Sequence, residues 1–160
     1  MNNETSRLLC IQPTGAGKTL LCQTVATHLK AVNLYLSPLL SLSSNQVLKF
    51  MSRTRSVNTN ITPVHLDKVR HKKELKSVIS LVKNSVAPTT VLIFASIQSL
   101  TDKFSSFIVT IRSLIWFVVI DELHLFHNFG RSFRKEFTLL KDKMFSILRS
   151  NIHMLFMTAT

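Results

Sequence analysis

Residues 8–19 read Leu-Leu-Cys-Ile-Gln-Pro-Thr-Gly-Ala-Gly-Lys-Thr, and this stretch decides the fold. The apolar run Leu8–Ile11 predicts a short buried strand. Pro13, Thr14, Gly15, Ala16 and Gly17 then break the pattern, and Lys18-Thr19 opens a helical stretch expected to reach Leu29. Strand, glycine-bearing turn and helix form the context that a phosphate-binding loop requires. Gly15 and Gly17 allow a sharp turn and a close approach to phosphate. The backbone amides and the helix N-terminus offer partial positive charge. Lys18 adds a full charge, and the Thr19 hydroxyl is a suitable ligand for Mg²⁺. The general pattern G-x-x-x-x-G-K-S/T would place glycine where Gln12 stands, so an ordinary strand-to-helix turn is the competing reading.

Working outward, further apolar runs lie at Val32–Leu36, Val91–Ala95, Trp116–Ile120 and Met154–Met157, and a further short strand is expected at Ile61–His65. The first four of these runs and Leu8–Ile11 are apolar almost throughout, as in strands covered on both faces. Helices are expected over 18–29, 39–53, 67–84, 97–111 and 131–148. This alternation predicts an α/β domain with a mostly parallel central sheet and helices on both faces. Residues 1–6 read as a tail and 7–160 as one domain. The sheet starts abruptly and the last strand has no following helix, so a domain truncated at both ends is expected.

Composition narrows the class. The 160 residues are 46% hydrophobic and 18% charged, which excludes intrinsic disorder. Twenty Lys and Arg against eight Asp and Glu give +12, a surplus suited to a polyanionic partner. Cys10 and Cys22 have neither the number nor the spacing of a disulfide framework or a zinc site. They are expected as thiols in a reducing, intracellular setting. No apolar run is long enough to span a bilayer, so no membrane partner is expected.

Asp121-Glu122 follows the strand Trp116–Ile120 and lies 103 residues after Lys18. Carboxylates at the C-terminal end of a buried parallel strand sit where α/β domains place ligands. The first suits Mg²⁺, and the second suits the activation of a water. Alone, the pair also fits a solvated turn that caps the next helix.

Asp121-Glu122-Leu123-His124 is a DExH box, and the chain resembles the first RecA-like domain of superfamily 2 helicases, the RecQ-like group above all. Pro13–Thr19 resembles motif I, and Ser37–Val47 resembles motif Ia, whose usual form is SPL-SL--D/NQV. Phe129–Phe137 is similar to an aromatic-rich loop close to WGHDFRPEY, and Thr158-Ala159-Thr160 resembles motif III. Phe129 replaces the family's tryptophan and Lys135 its proline, and Ser96-Ile97-Gln98 stands where a Thr/Ser-Pro-Glu/Gln is usual.

The resemblance implies an ATP-dependent DNA helicase domain of a longer parent, with ATP and Mg²⁺ as cofactors and nuclear location if the source is eukaryotic. The implied catalytic residues are Lys18, Asp121, Glu122 and His124, with Thr19 and Asp121 on Mg²⁺. Nucleic-acid contacts are implied for Ser37, Pro38, Gln46, Ser96, Gln98, Phe129, Phe133 and Arg134. Coupling falls to Thr158, Ala159 and Thr160. Single-stranded or partly duplex DNA is the expected partner, with RNA open. A second RecA-like domain, with its arginine finger, is missing from these residues. The competing functions are a non-catalytic nucleic-acid-binding remnant and an RNA-dependent DExH ATPase.

Two features keep two readings. Residues 49–83 carry nine Lys and Arg against Asp67 and Glu74, which suits either a phosphate backbone or a solvated helix face. Phe129, Phe133 and Phe137 repeat every four residues, as base-stacking rings or a core-facing helix would. His124 and His127 flank one another as H-x-x-H, but a zinc site needs more ligands.

Overall fold

The computed structural model describes residues 6–29, 31–38, 40–54, 61–84, 90–125, 145, 146, 148 and 151–159. In chain order the elements are β1 (Arg7–Ile11), α1 (Lys18–His28), β2 (Val32–Ser37), α2 (Leu40–Thr54), β3 (Ile61–His65), a 3₁₀ turn (Leu66–Lys68), α3 (Lys72–Asn84), β4 (Thr90–Ser96), α4 (Ile97–Asp102), α5 (Ser105–Ile111), β5 (Ile115–Ile120) and β6 (His153–Thr158). The six strands form one sheet in the order β1-β6-β5-β2-β4-β3, and every pairing is parallel. Among the described residues, no helix is long and apolar enough to cross a membrane.

Strand alternation sorts the core into two layers. Leu34, Leu36, Ile93, Ala95, Val118 and Ile120 face one side, where Val82 of α3, Leu100 of α4 and Phe107, Ile108 and Ile111 of α5 cover them. Tyr35, Leu92, Phe94, Phe117, Val119 and Met157 face the other, beneath Cys22 of α1 and Val47 and Phe50 of α2. Helices on both faces are what an all-parallel sheet needs. β2 and β4 are buried along their whole lengths. β3 carries Pro63, which lacks an N–H to give, and it stands at the sheet edge, where that lack is tolerated.

The structure departs from the sequence reading in three places. Among the described residues β1 is not covered: Leu8, Leu9 and Ile11 are each about 60% exposed, and β1 stands at the other edge, paired there only with β6. The helix expected over 67–84 begins later. Val69 is extended, and Glu74 Oε2 accepts from the backbone N–H of Arg70 at 2.8 Å, which starts α3 instead. The helix expected over 97–111 divides at Lys103-Phe104. Both of their N–H groups donate to the Ser99 carbonyl, and the Phe104 ring turns into the core. Lys103 Nζ lies over that ring and donates to the Val69 carbonyl at 2.6 Å. The helix expected over 131–148 falls largely outside the described residues.

Candidate functional site

Three backbone hydrogen bonds tie together the C-terminal ends of four strands. Gln12 N–H donates to Thr158 O, Asp121 N–H to Leu36 O and Leu123 N–H to Met157 O, at 3.1, 2.9 and 2.8 Å. The exits of β1, β2, β5 and β6 therefore meet at the C-terminal edge of the sheet, the usual ligand edge of an open α/β fold.

The loop over 12–17 is built for a close approach. Gly15 and Gly17 have φ of +87° and +90°, the left-handed region that side chains disfavour. A Cβ at either would meet nothing within 4 Å, so conformation, not crowding, demands glycine there. Gly17 is the N-cap of α1, and its carbonyl accepts from Leu21 N–H at 3.0 Å. Lys18 is only 8% exposed, and its Nζ folds back to donate to the carbonyls of Gln12 (2.7 Å) and Pro13 (3.2 Å). The ammonium thus hangs over its own loop at the helix N-terminus. Positive charge beside a helix N-terminus suits phosphate oxygens.

Asp121 continues the alternation of Phe117 and Val119, so it shares the face of Tyr35 and α2. Its Oδ2 accepts from the Tyr35 hydroxyl and from Gln46 Nε2 at 3.4 Å, and its Oδ1 accepts from Glu122 N–H at 2.9 Å. Burial raises the Asp121 carboxyl above its ordinary value, opposed first by the Tyr35 hydrogen bond. Burial, then the Asp121 charge, holds the Tyr35 phenol well above its usual range, so the hydroxyl stays a donor. Among the described residues Asp121 has no ion-pair partner. A buried carboxylate with acceptor capacity to spare is a hard-oxygen donor, which fits Mg²⁺.

Glu122 has φ of +52°, a strained conformation for a residue with a side chain. Its Oε2 is buried without a hydrogen bond among the described residues, although His124 Nδ1 lies 3.3 Å away; that contact has ion-pair length but not hydrogen-bond alignment. His124 Nδ1 also lies 3.3 Å from the Thr158 hydroxyl, in a hydrogen bond whose direction depends on the ring tautomer. The DExH box and the end of β6 are thereby in contact.

The remaining sequence-derived candidates divide. Ser37 and Pro38 are buried and Gln98 is exposed. Ser96 is buried and held internally: its Oγ donates to Asp67 Oδ1 at 3.0 Å and accepts from Ser99 N–H, capping α4. Gln46 is half-buried and turned toward Asp121. Ala159 follows β6 at the same edge. Phe129, Phe133, Arg134 and Thr160 lie outside the described residues. The cations Lys72, Lys73, Lys76 and Lys83 are exposed on α3, whose Leu75, Val78, Ile79 and Val82 pack inward.

Sequence reasoning missed Tyr35. It is the chain's sole tyrosine, set between Leu34 and Leu36 in a buried strand. A buried hydroxyl must find a partner, and the strand register offered a carboxylate on the same face.

Comparison with known proteins agrees with this geometry. The sequence pattern of the DEAD/DEAH box helicases matches residues 2–160. The chain is 30% identical over 139 residues to the ATP-dependent DNA helicase Q5 of Rattus norvegicus, covering 80% of this chain and 13% of that protein. It is 32% identical over 161 residues to the ATP-dependent DNA helicase Q-like 4B of Arabidopsis thaliana, covering 94% of this chain and 13% of that protein. The chain thus spans about an eighth of those relatives' length. Among solved structures, the helicase MrfA bound to DNA and AMPPNP superposes with a TM-score of 0.65 at 19% identity, over 97% of this chain and 22% of that one. UvsW of bacteriophage T4 gives 0.60 at 16% identity, over 96% and 27%. These two likenesses show the fold. With the phosphate loop, the acidic pair and the sheet that joins them in place, the chain belongs to the DEAD/DEAH box helicases, as an ATP-binding RecA-like domain whose curated relatives are RecQ-like.

Proposed function

We propose that this chain is the nucleotide-binding half of a motor that couples ATP hydrolysis to the separation of DNA strands. The observation that supports it best is the meeting of the Lys18 loop with Asp121 and Glu122 at one edge of the sheet. Lys18 would leave the Gln12 and Pro13 carbonyls to meet the β- and γ-phosphates, while the loop amides hold their oxygens. Thr19 and Asp121 would hold Mg²⁺, which neutralises phosphate charge when bound. Glu122 Oε2, free of a hydrogen bond among the described residues, would orient the attacking water and accept its proton. The His124–Thr158 contact would carry the nucleotide state from the DExH box to motif III and onward to bound DNA.

Contacts to the strand, following the family resemblance, would fall to Ser37, Pro38, Gln98, Phe129, Phe133 and Arg134. Gln46 and Ser96 would act instead through Asp121 and the α4 cap. A second RecA-like domain would supply an arginine finger, worth about 10³–10⁵ in turnover in related NTPases. The 160 residues alone would then bind nucleotide weakly and hydrolyse it slowly. The setting would be intracellular, and nuclear in a eukaryote.

The test is ATP turnover by the full parent chain with single-stranded DNA, with RNA and with neither. DNA stimulation that Glu122→Gln abolishes, with nucleotide binding kept, is the expected result. Normal turnover by Glu122→Gln would remove the general base from this scheme. Stimulation by RNA alone would favour the RNA-dependent reading.

A further inference from the structure

We propose that Tyr35 is a positioning residue for the magnesium-nucleotide site: its buried phenol bonds Asp121 and fixes the direction in which Asp121 presents its carboxylate. The inference rests on the function proposed above and adds a residue that the helicase motifs read from the sequence do not include.

The sequence places Tyr35 where packing alone has no need of a hydroxyl. β2 is buried from end to end, and its neighbours on the opposite face, Leu34 and Leu36, are aliphatic. In register, Tyr35 lies beside Phe94 of β4 and Val119 of β5. Asp121 stands two residues beyond Val119 on the same face, so a side chain of tyrosine's length reaches it from β2. The ring is fixed by its neighbours: its centroid is 5.3 Å from that of Phe94, which is 5.6 Å from that of Phe50. Tyr35 is 1% exposed. A buried hydroxyl is a cost unless it is bonded, and this one is bonded to Asp121, a side chain expected to hold the metal.

The consequence for Asp121 follows from counting lone pairs. A carboxylate has about four acceptor sites. Tyr35 and Gln46 take two on Oδ2, and the Glu122 amide takes one on Oδ1. The carboxylate is therefore held against rotation, with acceptor capacity left on Oδ1. An aliphatic residue at 35 would fill the layer yet leave Oδ2 with the long Gln46 contact alone. Partners of this outer kind typically change metal affinity by about 10–100-fold when removed.

Tyr35→Phe keeps the ring and deletes the bond to Asp121. Binding of a fluorescent ATP analogue is titrated with Mg²⁺, and separately measured in EDTA. The expected result is a half-saturating Mg²⁺ concentration raised about 10-fold, with the EDTA affinity near that of the wild type and a single cooperative urea transition that shows the variant folded. An unchanged Mg²⁺ dependence in a folded variant overturns the proposal.

A second measurement needs no substitution. Because Tyr35 is the chain's sole tyrosine, 3-fluorotyrosine labels one site. Its ¹⁹F resonance should move when Mg²⁺ is added to the ADP-bound protein, beyond any change caused by ADP in EDTA. A resonance indifferent to Mg²⁺ overturns the proposal, and this result decides the matter if Tyr35→Phe does not fold. Wild-type protein that binds no nucleotide in either condition would overturn the proposed function and this inference together. Wild-type protein that binds Mg²⁺-nucleotide, with both Tyr35 readouts silent, would overturn this inference alone.

Discussion

Replacing Asp67 with alanine should destabilise the domain by about 2–4 kcal/mol. The Asp67 side chain is 2% exposed and joins two parts of the sheet edge. Its Oδ2 accepts from Ser96 N–H at 2.8 Å, and its Oδ1 accepts from Ser96 Oγ at 3.0 Å. The variant loses both hydrogen bonds to a charged acceptor. The hydroxyl keeps Ser99 Oγ at 2.8 Å, so the larger loss is the amide of Ser96, a residue only 3% exposed. A buried N–H without a partner costs about 1–3 kcal/mol, and the lost charge-assisted bonds supply the rest. For a chain of this length, 1 kcal/mol corresponds to roughly 2–4 °C, so Tm should fall by roughly 4–16 °C. Urea denaturation followed by far-UV circular dichroism gives the free energy by linear extrapolation. Asp67→Asn retains an acceptor for the Ser96 amide and should lose less than half as much. An Asp67→Ala domain within about 0.5 kcal/mol of the wild type, or an asparagine variant as damaged as the alanine one, would refute the reasoning.

Two further outcomes are expected. Gly17→Ala must hold a left-handed φ of +90° with open space around the new Cβ, so it should lose about 1–2 kcal/mol from strain alone, measured by the same denaturation. His65 has its pKa lowered from the ordinary 6.5, by burial first, with the Asp67 carboxylate opposing. The unfolded chain therefore binds this proton more readily. Stability contributed by neutral His65 should be whole above about pH 6.5 and should fall as the pH drops through the lowered value. A series of urea midpoints from pH 8 to pH 5 should show a steeper decline for the wild type than for His65→Phe. Parallel curves would contradict it.

How much of this was legible in the sequence depended on the range of the interaction involved. Strand positions were read to within a residue or two, because a strand covered on both faces must be apolar throughout. The phosphate loop and the acidic pair were legible because their chemistry is written in adjacent residues. The breaks at Val69 and Phe104 were not, since each answers to a distant partner. Glu74 catches the Arg70 amide, and Lys103 reaches back to the Val69 carbonyl. The exposure of β1 was hidden for the same reason, because an apolar strand does not show whether it will stand at a sheet edge. At the site, the approach of Gln46 from α2, the pinning of Ser96 by Asp67 and the bond of Tyr35 to Asp121 all depend on tertiary packing. The motif Ia resemblance pointed Gln46 toward nucleic acid, whereas the fold brings its amide to the DExH carboxylate.

The most direct test of the central claim is equilibrium binding of a fluorescent ATP analogue to the wild-type chain and to Lys18→Ala, each with Mg²⁺ and in EDTA, with single-stranded DNA binding measured in parallel. Lys18 Nζ already hangs over the loop, bonded to the Gln12 and Pro13 carbonyls. The account predicts Mg²⁺-dependent binding by the wild type, loss of that binding in Lys18→Ala, and DNA binding largely kept. A wild-type chain that binds DNA but no nucleotide, with Lys18→Ala behaving identically, would contradict it and identify a nucleic-acid-binding remnant.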